Sequence, residues 1–379
     1  TRGSILDSVH AFAQSIVGPL YLGFLALILL AGFGLIASRS HLLRTESLID
    51  APFSREAAFL GNNLGLVVIT FTVLLGTIYP LLAEALSGRR VSVGAPYFNQ
   101  TATPAMLLLL FLMAVGPLVP WKAGSPRRLL RRVQVPVWGA SATVAALAVA
   151  GVRNLAALAA FGLASFVALA TLSELFKSAV HYRNTFGGNL ASATIGAARR
   201  NRRLFGGLFV HLGLVLAAVA ITASSSFDRR TEMTLARGEV RTFARYDFRF
   251  EGVREMHQPH RRSVVADVSL LDRGVRVMKL TPLMNFYPNA RDPIGTPSIR
   301  TGSLTNGFRD IYISLSSVAG DGASASFRVY EIPGVLWLWI GGGVMAAGGV
   351  FAAWPSRRTR KPVGSRELRR QRQLEGVAP

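Results

Sequence analysis

One imidazole in this sequence sits where an ionisable group is expensive. His211 lies inside Leu204–Ala223, LFGGLFVHLGLVLAAVAITA, an uncharged stretch long enough to cross a bilayer core. It falls about a third of the way in from the end that follows Arg199, Arg200, Arg202 and Arg203. A titratable ring at that depth costs free energy unless it has a partner, which makes it a functional-site candidate. Imidazole is also a common metal ligand and the usual protein ligand of haem iron. Gly206, Gly207 and Gly213 flank the ring and leave room for something bulky or for another helix. On these residues alone two readings stay open: a histidine hydrogen-bonded to a neighbouring helix, and a metal or haem ligand.

The other five histidines lie outside the apolar stretches. His10 stands in Ser8–Phe12, SVHAF, where an apolar frame surrounds one imidazole just before the first long apolar run; it is an interfacial histidine or a ligand for something bound at that surface. His41 and His181 fall in basic loops. His257 and His260 are three apart and flanked by Arg254, Arg261 and Arg262, which suits an exposed loop better than a metal site. Met106, Met113 and Met345 lie in apolar runs, where methionine usually packs. A six-coordinate haem needs a ligand on each face, and no second histidine lies within a span. Any partner of His211 is therefore expected from outside these 379 residues. Arg153, in a tight turn, is a topology residue or a holder for an acidic group such as a propionate. There is no cysteine, so a disulfide framework, a thiolate metal site and a thiol nucleophile are all excluded. No P-loop, GxGxxG or Ser/His/Asp arrangement is present.

Half of the chain is hydrophobic and only 16% is charged, the composition of an integral membrane protein. About seven spans are expected: Gly18–Ala37, Leu60–Leu82, Pro104–Val119, Val135–Val152, Leu155–Leu175, the His211 stretch, and Gly334–Trp354. The net charge of +22 would suggest nucleic acid in a soluble protein, but here the basic residues flank apolar spans. Of the 42 lysines and arginines, 22 lie in the loops after spans one, three and five and in the C-terminal tail. Four lie in the short segments of the other side. The first set is therefore read as cytoplasmic and the N-terminus as extracytoplasmic, with no nucleic-acid partner. Residues 1–17 form an outer segment carrying His10, 18–223 six spans, 224–333 an outer domain, 334–354 a seventh span and 355–379 a basic tail. The chain begins at Thr1 without a signal-peptide pattern and reads as a piece of something longer.

The outer domain alternates with period two, the mark of half-buried strands. Tyr246, Phe248 and Phe250 alternate with Asp247, Arg249 and Glu251; Ile311, Ile313 and Leu315 alternate with Tyr312, Ser314 and Ser316. Leu270–Leu280 reads as two strands joined at Asp272-Arg273-Gly274. Asn285–Gly302, with three prolines and no period, is expected to be a long loop. The fold class is thus an α-helical polytopic membrane protein with a small extracytoplasmic antiparallel β domain inserted before the last helix.

Several segments together resemble the C-terminal half of the CcmF/NrfE family, the membrane haem-lyase component of bacterial and plant-mitochondrial cytochrome c biogenesis. They are Thr1–Ala13 (TRGSILDSVHAFA), Phe59–Val67 (FLGNNLGLV), Thr72–Leu82 (TVLLGTIYPLL), Val91–Asn99 (VSVGAPYFN), His211–Gly213 and Trp337–Gly349 (WLWIGGGVMAAGG). Their order and spacing carry the likeness more than any one piece. The resemblance implies that His211 is an axial ligand of a b-type haem that reduces the substrate haem, with quinol as a source of electrons. It implies that His10 is a periplasmic ligand of the haem being delivered. It further implies delivery by the haem chaperone CcmE, partners of the CcmH/CcmI type that present apocytochrome c, and thioether attachment at a CxxCH motif, in the bacterial inner membrane. The reacting thiols would belong to the substrate, which accords with a chain free of cysteine. The family's WWD segment and the second histidine of each pair lie upstream of the matching region. Trp121, Trp138, Trp337, Trp339 and Trp354 form no such motif, so lyase activity is not expected without an N-terminal WWD-containing half. Alternatives of the same origin are a non-catalytic scaffold half that docks CcmE and apocytochrome chaperones, and an NrfE-like paralogue that serves a CxxCK site.

Overall fold

A computed structural model describes residues 17–43, 54–87, 91, 93–119, 126–288, 293–303 and 308–354. His10 and the basic tail lie outside them. Apolar sequence folds as helix wherever a span was expected. The helices are α1 (Val17–Ser38), α2 (Arg55–Ser87), α3 (Ala95–Leu118), α4 (Pro126–Val149), α5 (Leu155–Phe186), α6 (Leu190–Arg200), α7 (Arg202–Ser226) and α8 (Val335–Ala353). Among the described residues, five of these are long and apolar enough to cross a membrane: α2, α3, α5, α7 and α8. In α4, Arg127, Arg128, Arg131 and Arg132 occupy the first two turns and leave only Val133–Val149 free of charge. In α1 the apolar run described is the shorter Ala26–Ser38.

Helix ends follow from local chemistry. Asn154 caps α5 by accepting from the Ala157 N–H, and Gly187, at φ 76°, ends it. Asn189 caps α6 through Ser192, and Asn201 both ends α6 and caps α7 through Leu204. Arg55 donates to the Gly116 and Pro117 carbonyls at 3.0 and 3.2 Å, and Arg132 donates to Leu118, so two cations cap the carbonyl end of α3. The helix α6 interrupts what the sequence presented as a basic loop. Its packed side consists of Ala193 and Ala197, too little apolar surface to register as a period, and Gly196 lets Tyr182 of α5 lie against its backbone.

Helices α3, α4, α5 and α7 share one core, in which Leu110, Ala114, Phe166, Val167 and Val215 are buried. The β domain is a sandwich of antiparallel sheets. One has the order β1-β10-β9-β8, formed by Arg229–Ala236, Ser324–Pro333, Arg309–Val318 and Ser298–Arg300. The other has the order β2-β3-β4-β6-β7, formed by Val240–Phe243, Tyr246–Gln258, Arg261–Asp272, Leu283–Phe286 and Ile294–Thr296, with β5 (Val275–Leu280) paired to β4. The two alternating runs noted above supply its interior: Tyr246, Phe248, Phe250, Ile311 and Ile313 are each no more than 1% exposed. Arg273 and Gly274, at φ 53° and 79°, close the β4–β5 hairpin as a two-residue turn with both residues left-handed. The segment expected as a long loop instead carries β6, β7 and β8. Strands of three residues are too short to show a period, and Pro288, Pro293 and Pro297 stand between them rather than within them.

The sandwich joins the helices with almost no linker. β10 ends at Pro333 and α8 begins at Val335. Gly334 makes the turn at φ 82°, its N–H bonded to the Phe308 carbonyl at 2.9 Å, and the Phe308 ring lies 5.4 Å from that of Trp337.

Candidate functional site

The site is built on the antiparallel pair α7 and α8. A β-carbon at Gly213 would lie 2.6 Å from the Gly341 carbonyl oxygen and 2.7 Å from the Met345 nitrogen. One at Gly206 would lie 2.5 Å from the Gly348 carbonyl oxygen. Reciprocally, Gly341 faces Gly213 and Gly348 faces Gly206 at 2.6 and 2.8 Å. Each helix thus offers two glycines seven residues apart, about two turns, and the two backbones meet at these four glycines where side chains would keep them apart.

This contact fixes which way His211 points. Helical periodicity places His211 well away from the Gly206/Gly213 face, in line with Gly207 and Leu214. Neighbouring positions Val215, Ala218 and Val219 pack into the core shared with α5, and Leu214 is 39% exposed. His211 therefore stands at the edge of a packed seam, half-buried. Its Nδ1 is buried and, among the described residues, has no hydrogen-bond partner. A histidine serving only as packing would be expected to satisfy that atom across the α5 seam, and the structure provides no such bond.

The three glycines around the ring divide their work. Gly206 and Gly213 are filled by α8, whereas among the described residues nothing lies within 4 Å of a β-carbon at Gly207. Gly342 and Gly349, each one residue past a contact glycine on α8, are equally open. In an antiparallel pair of right-handed helices that one-residue step turns to the same side on both, so the open glycines border the His211 side. An unsatisfied imidazole bordered by three open glycines is an arrangement in which His211 could hold a metal-bearing group, a haem among them.

The remaining candidates disperse. His41 follows α1, exposed, and His181 lies near the end of α5. His257 closes the β3–β4 hairpin, 3.7 Å from Glu255, and Arg262 also pairs with Glu255 at 3.3 Å. Met345 packs into the α7–α8 seam, away from His211; Met113 packs against the helical core; Met106 is 57% exposed. Arg153 donates to the Ala148 carbonyl at 2.7 Å, so it caps α4. Among the described residues no group of three or more histidine or acidic side chains could hold a metal ion. The sequence named Gly207 together with Gly206 and Gly213 without separating it from them; its spacing of four from His211 was the available signal.

The fold and this site define a class: an integral membrane protein of packed helices with a β-sandwich inserted between α7 and α8. Residues 226–333 match a family model described as the CcmF C-terminal beta-sandwich. The chain is 35% identical over 370 residues to the cytochrome c-type biogenesis protein CcmF of Pseudomonas fluorescens, covering 96% of this chain and 53% of that protein. It is 29% identical to CcmF of Escherichia coli K12, over 94% of this chain and 52% of that one. It is 28% identical to the probable cytochrome c-type biogenesis protein NrfE of the same organism, over 94% and 50%. The solved structure of a cytochrome c heme lyase CcmF superposes with a TM-score of 0.66 at 28% identity, over 89% of this chain and 50% of that chain. The chain is similar to CcmF and NrfE proteins along nearly its whole length and spans about half the length of the relatives it matches.

Proposed function

We propose that this chain is the C-terminal half of a haem lyase of cytochrome c biogenesis. It would help attach haem to the CxxCH motif of apocytochrome c, working with an N-terminal WWD-containing half. Haem would come from CcmE, and apocytochrome c from chaperones of the CcmH/CcmI type. The protein would sit in the bacterial inner membrane with the sandwich and His10 outside, because the basic loops mark the cytoplasmic side. His211 would be one axial ligand of a b-type haem, and His10 a ligand of the haem in transit.

The observation that carries this reading is His211 itself: an imidazole on a membrane helix of a chain similar to CcmF, with Nδ1 buried and, among the described residues, unsatisfied. One ring nitrogen would bind iron while the other carries the proton, the neutral form in which histidine is a ligand. A bound b-type haem supplies one-electron chemistry, here reduction of the substrate haem. The α7–α8 glycine contact holds the ring's helix in place, and the surrounding apolar side chains exclude water. The test is His211→Ala in the full-length protein, with b-type haem absorbance per protein as the readout. Loss of the absorbance with unchanged helix content is expected. Full occupancy in that variant refutes the ligand role.

A further inference from the structure

We propose that Gly207 is the position at which the tetrapyrrole comes closest to α7, and that its missing side chain admits the group His211 holds. The inference rests on the haem reading of His211 and extends it to a residue that does not touch the iron. Side chains on an α-helix lean toward the N-terminus, so a residue covers the turn before its own Cα. The turn before His211 on its own face is centred on Gly207, four residues earlier. Whatever the ring binds must lie over that position.

The structure leaves it vacant. Among the described residues nothing lies within 4 Å of a β-carbon built at Gly207, while Gly206 and Gly213, on the face about 100° away, are filled by α8 to within 2.5–2.6 Å. Close helix packing therefore explains two of the three glycines and not the third. A glycine in a helix interior costs about 1 kcal/mol relative to alanine, and at Gly207 no helix contact offsets that cost among the described residues. A flat ring held at the length of an imidazole would offset it. A long side chain at 207 would occupy the same volume.

The test is Gly207→Leu in the full-length protein, beside Gly343→Leu on α8, also open but not one step past a contact glycine, and His211→Ala. Leucine is a better helix former than glycine, so neither leucine variant should lose helix content. Haem per protein and the reduced absorption spectrum are measured on each purified variant. The expected result is about a tenfold or greater loss of haem, or a shifted spectrum, for Gly207→Leu, with Gly343→Leu unchanged; overpacking terms of ordinary size are enough for that. If His211→Ala loses haem while Gly207→Leu keeps full occupancy and an unshifted spectrum, this inference fails and the ligand reading stands. If both leucine variants lose haem equally, the effect does not belong to the His211 side and the inference also fails. If His211→Ala retains haem, the ligand reading itself has failed.

Discussion

Replacing Gly213 with alanine should destabilise the protein, although the same change in an open helix would help it. Glycine to alanine in a helix interior ordinarily gains up to about 1 kcal/mol. Here the new β-carbon would stand 2.6 Å from the Gly341 carbonyl oxygen, and ordinary contact begins at 3.4 Å, so the two helices must part by ~0.8 Å at that level. Two of the three nearest atoms, the Gly341 oxygen and the Met345 nitrogen, are backbone and cannot rotate aside; the third is Met345 Cγ at 2.7 Å. Overpacking a tight seam costs about 1–3 kcal/mol, which set against the propensity gain leaves a net loss of up to about 2 kcal/mol. Gly343→Ala is the matched control, since its β-carbon would meet nothing within 4 Å. Thermal unfolding of the intact protein in detergent should place Gly213→Ala a few degrees below the parent and Gly343→Ala at or slightly above it. Adding Gly206→Ala to Gly213→Ala should cost less than the sum of the two, because a seam opened at one level is already relieved at the other. Equal melting of Gly213→Ala and Gly343→Ala would refute the close backbone approach on which the orientation of His211 depends.

Two further outcomes follow from the geometry. Asn201→Ala removes the side-chain acceptor of the Leu204 N–H, which lies at 3.3 Å, and should cost about 1 kcal/mol, read as faster amide hydrogen exchange in the first turn of α7; unchanged exchange there would count against the cap. Burial pushes the Asp310 carboxyl above its usual range, and the Gly302 N–H bonded to it opposes that only in part. The folded state therefore holds this proton more tightly than the unfolded chain does. The stabilisation is complete below the ordinary carboxylate value of about 4 and fades as pH rises through the raised folded value. Asp310→Asn should flatten that part of the pH dependence of β9 and β10 hydrogen exchange, and an unaltered profile would contradict it.

How much of this could be read from the sequence depended on whether a signal was local. Tyr246-x-Phe-x-Phe and Ile311-x-Ile-x-Leu declared their strands because each side chain's burial is set by the pleat alone. The two-residue turn at Arg273-Gly274 was equally local. Beyond that, β7 and β8 were invisible because three residues cannot establish a period, and α6 because alanine gives little contrast between its faces. His211 was conspicuous on an apolar span, but the orientation of its ring was not. That orientation is a property of α8, more than a hundred residues later, and no reading of α7 by itself contains it.

The glycines make the same point with consequence for function. Gly206, Gly207 and Gly213 are indistinguishable in the sequence, three small residues around one imidazole. Assembly with α8 separates them by a step of one residue: two become contact surface and one is left open on the side of His211. The sandwich enters this argument as well. α7 leads into β1 and β10 leads into α8, with the turn at Gly334 pinned by Phe308 and Trp337, so the fold of the β domain brings the two halves of the glycine contact into register. A chain order that places about a hundred residues of sandwich between two helices thereby pairs them closely, and the side of the pair on which Gly207, Gly342 and Gly349 stay open borders the half-buried histidine.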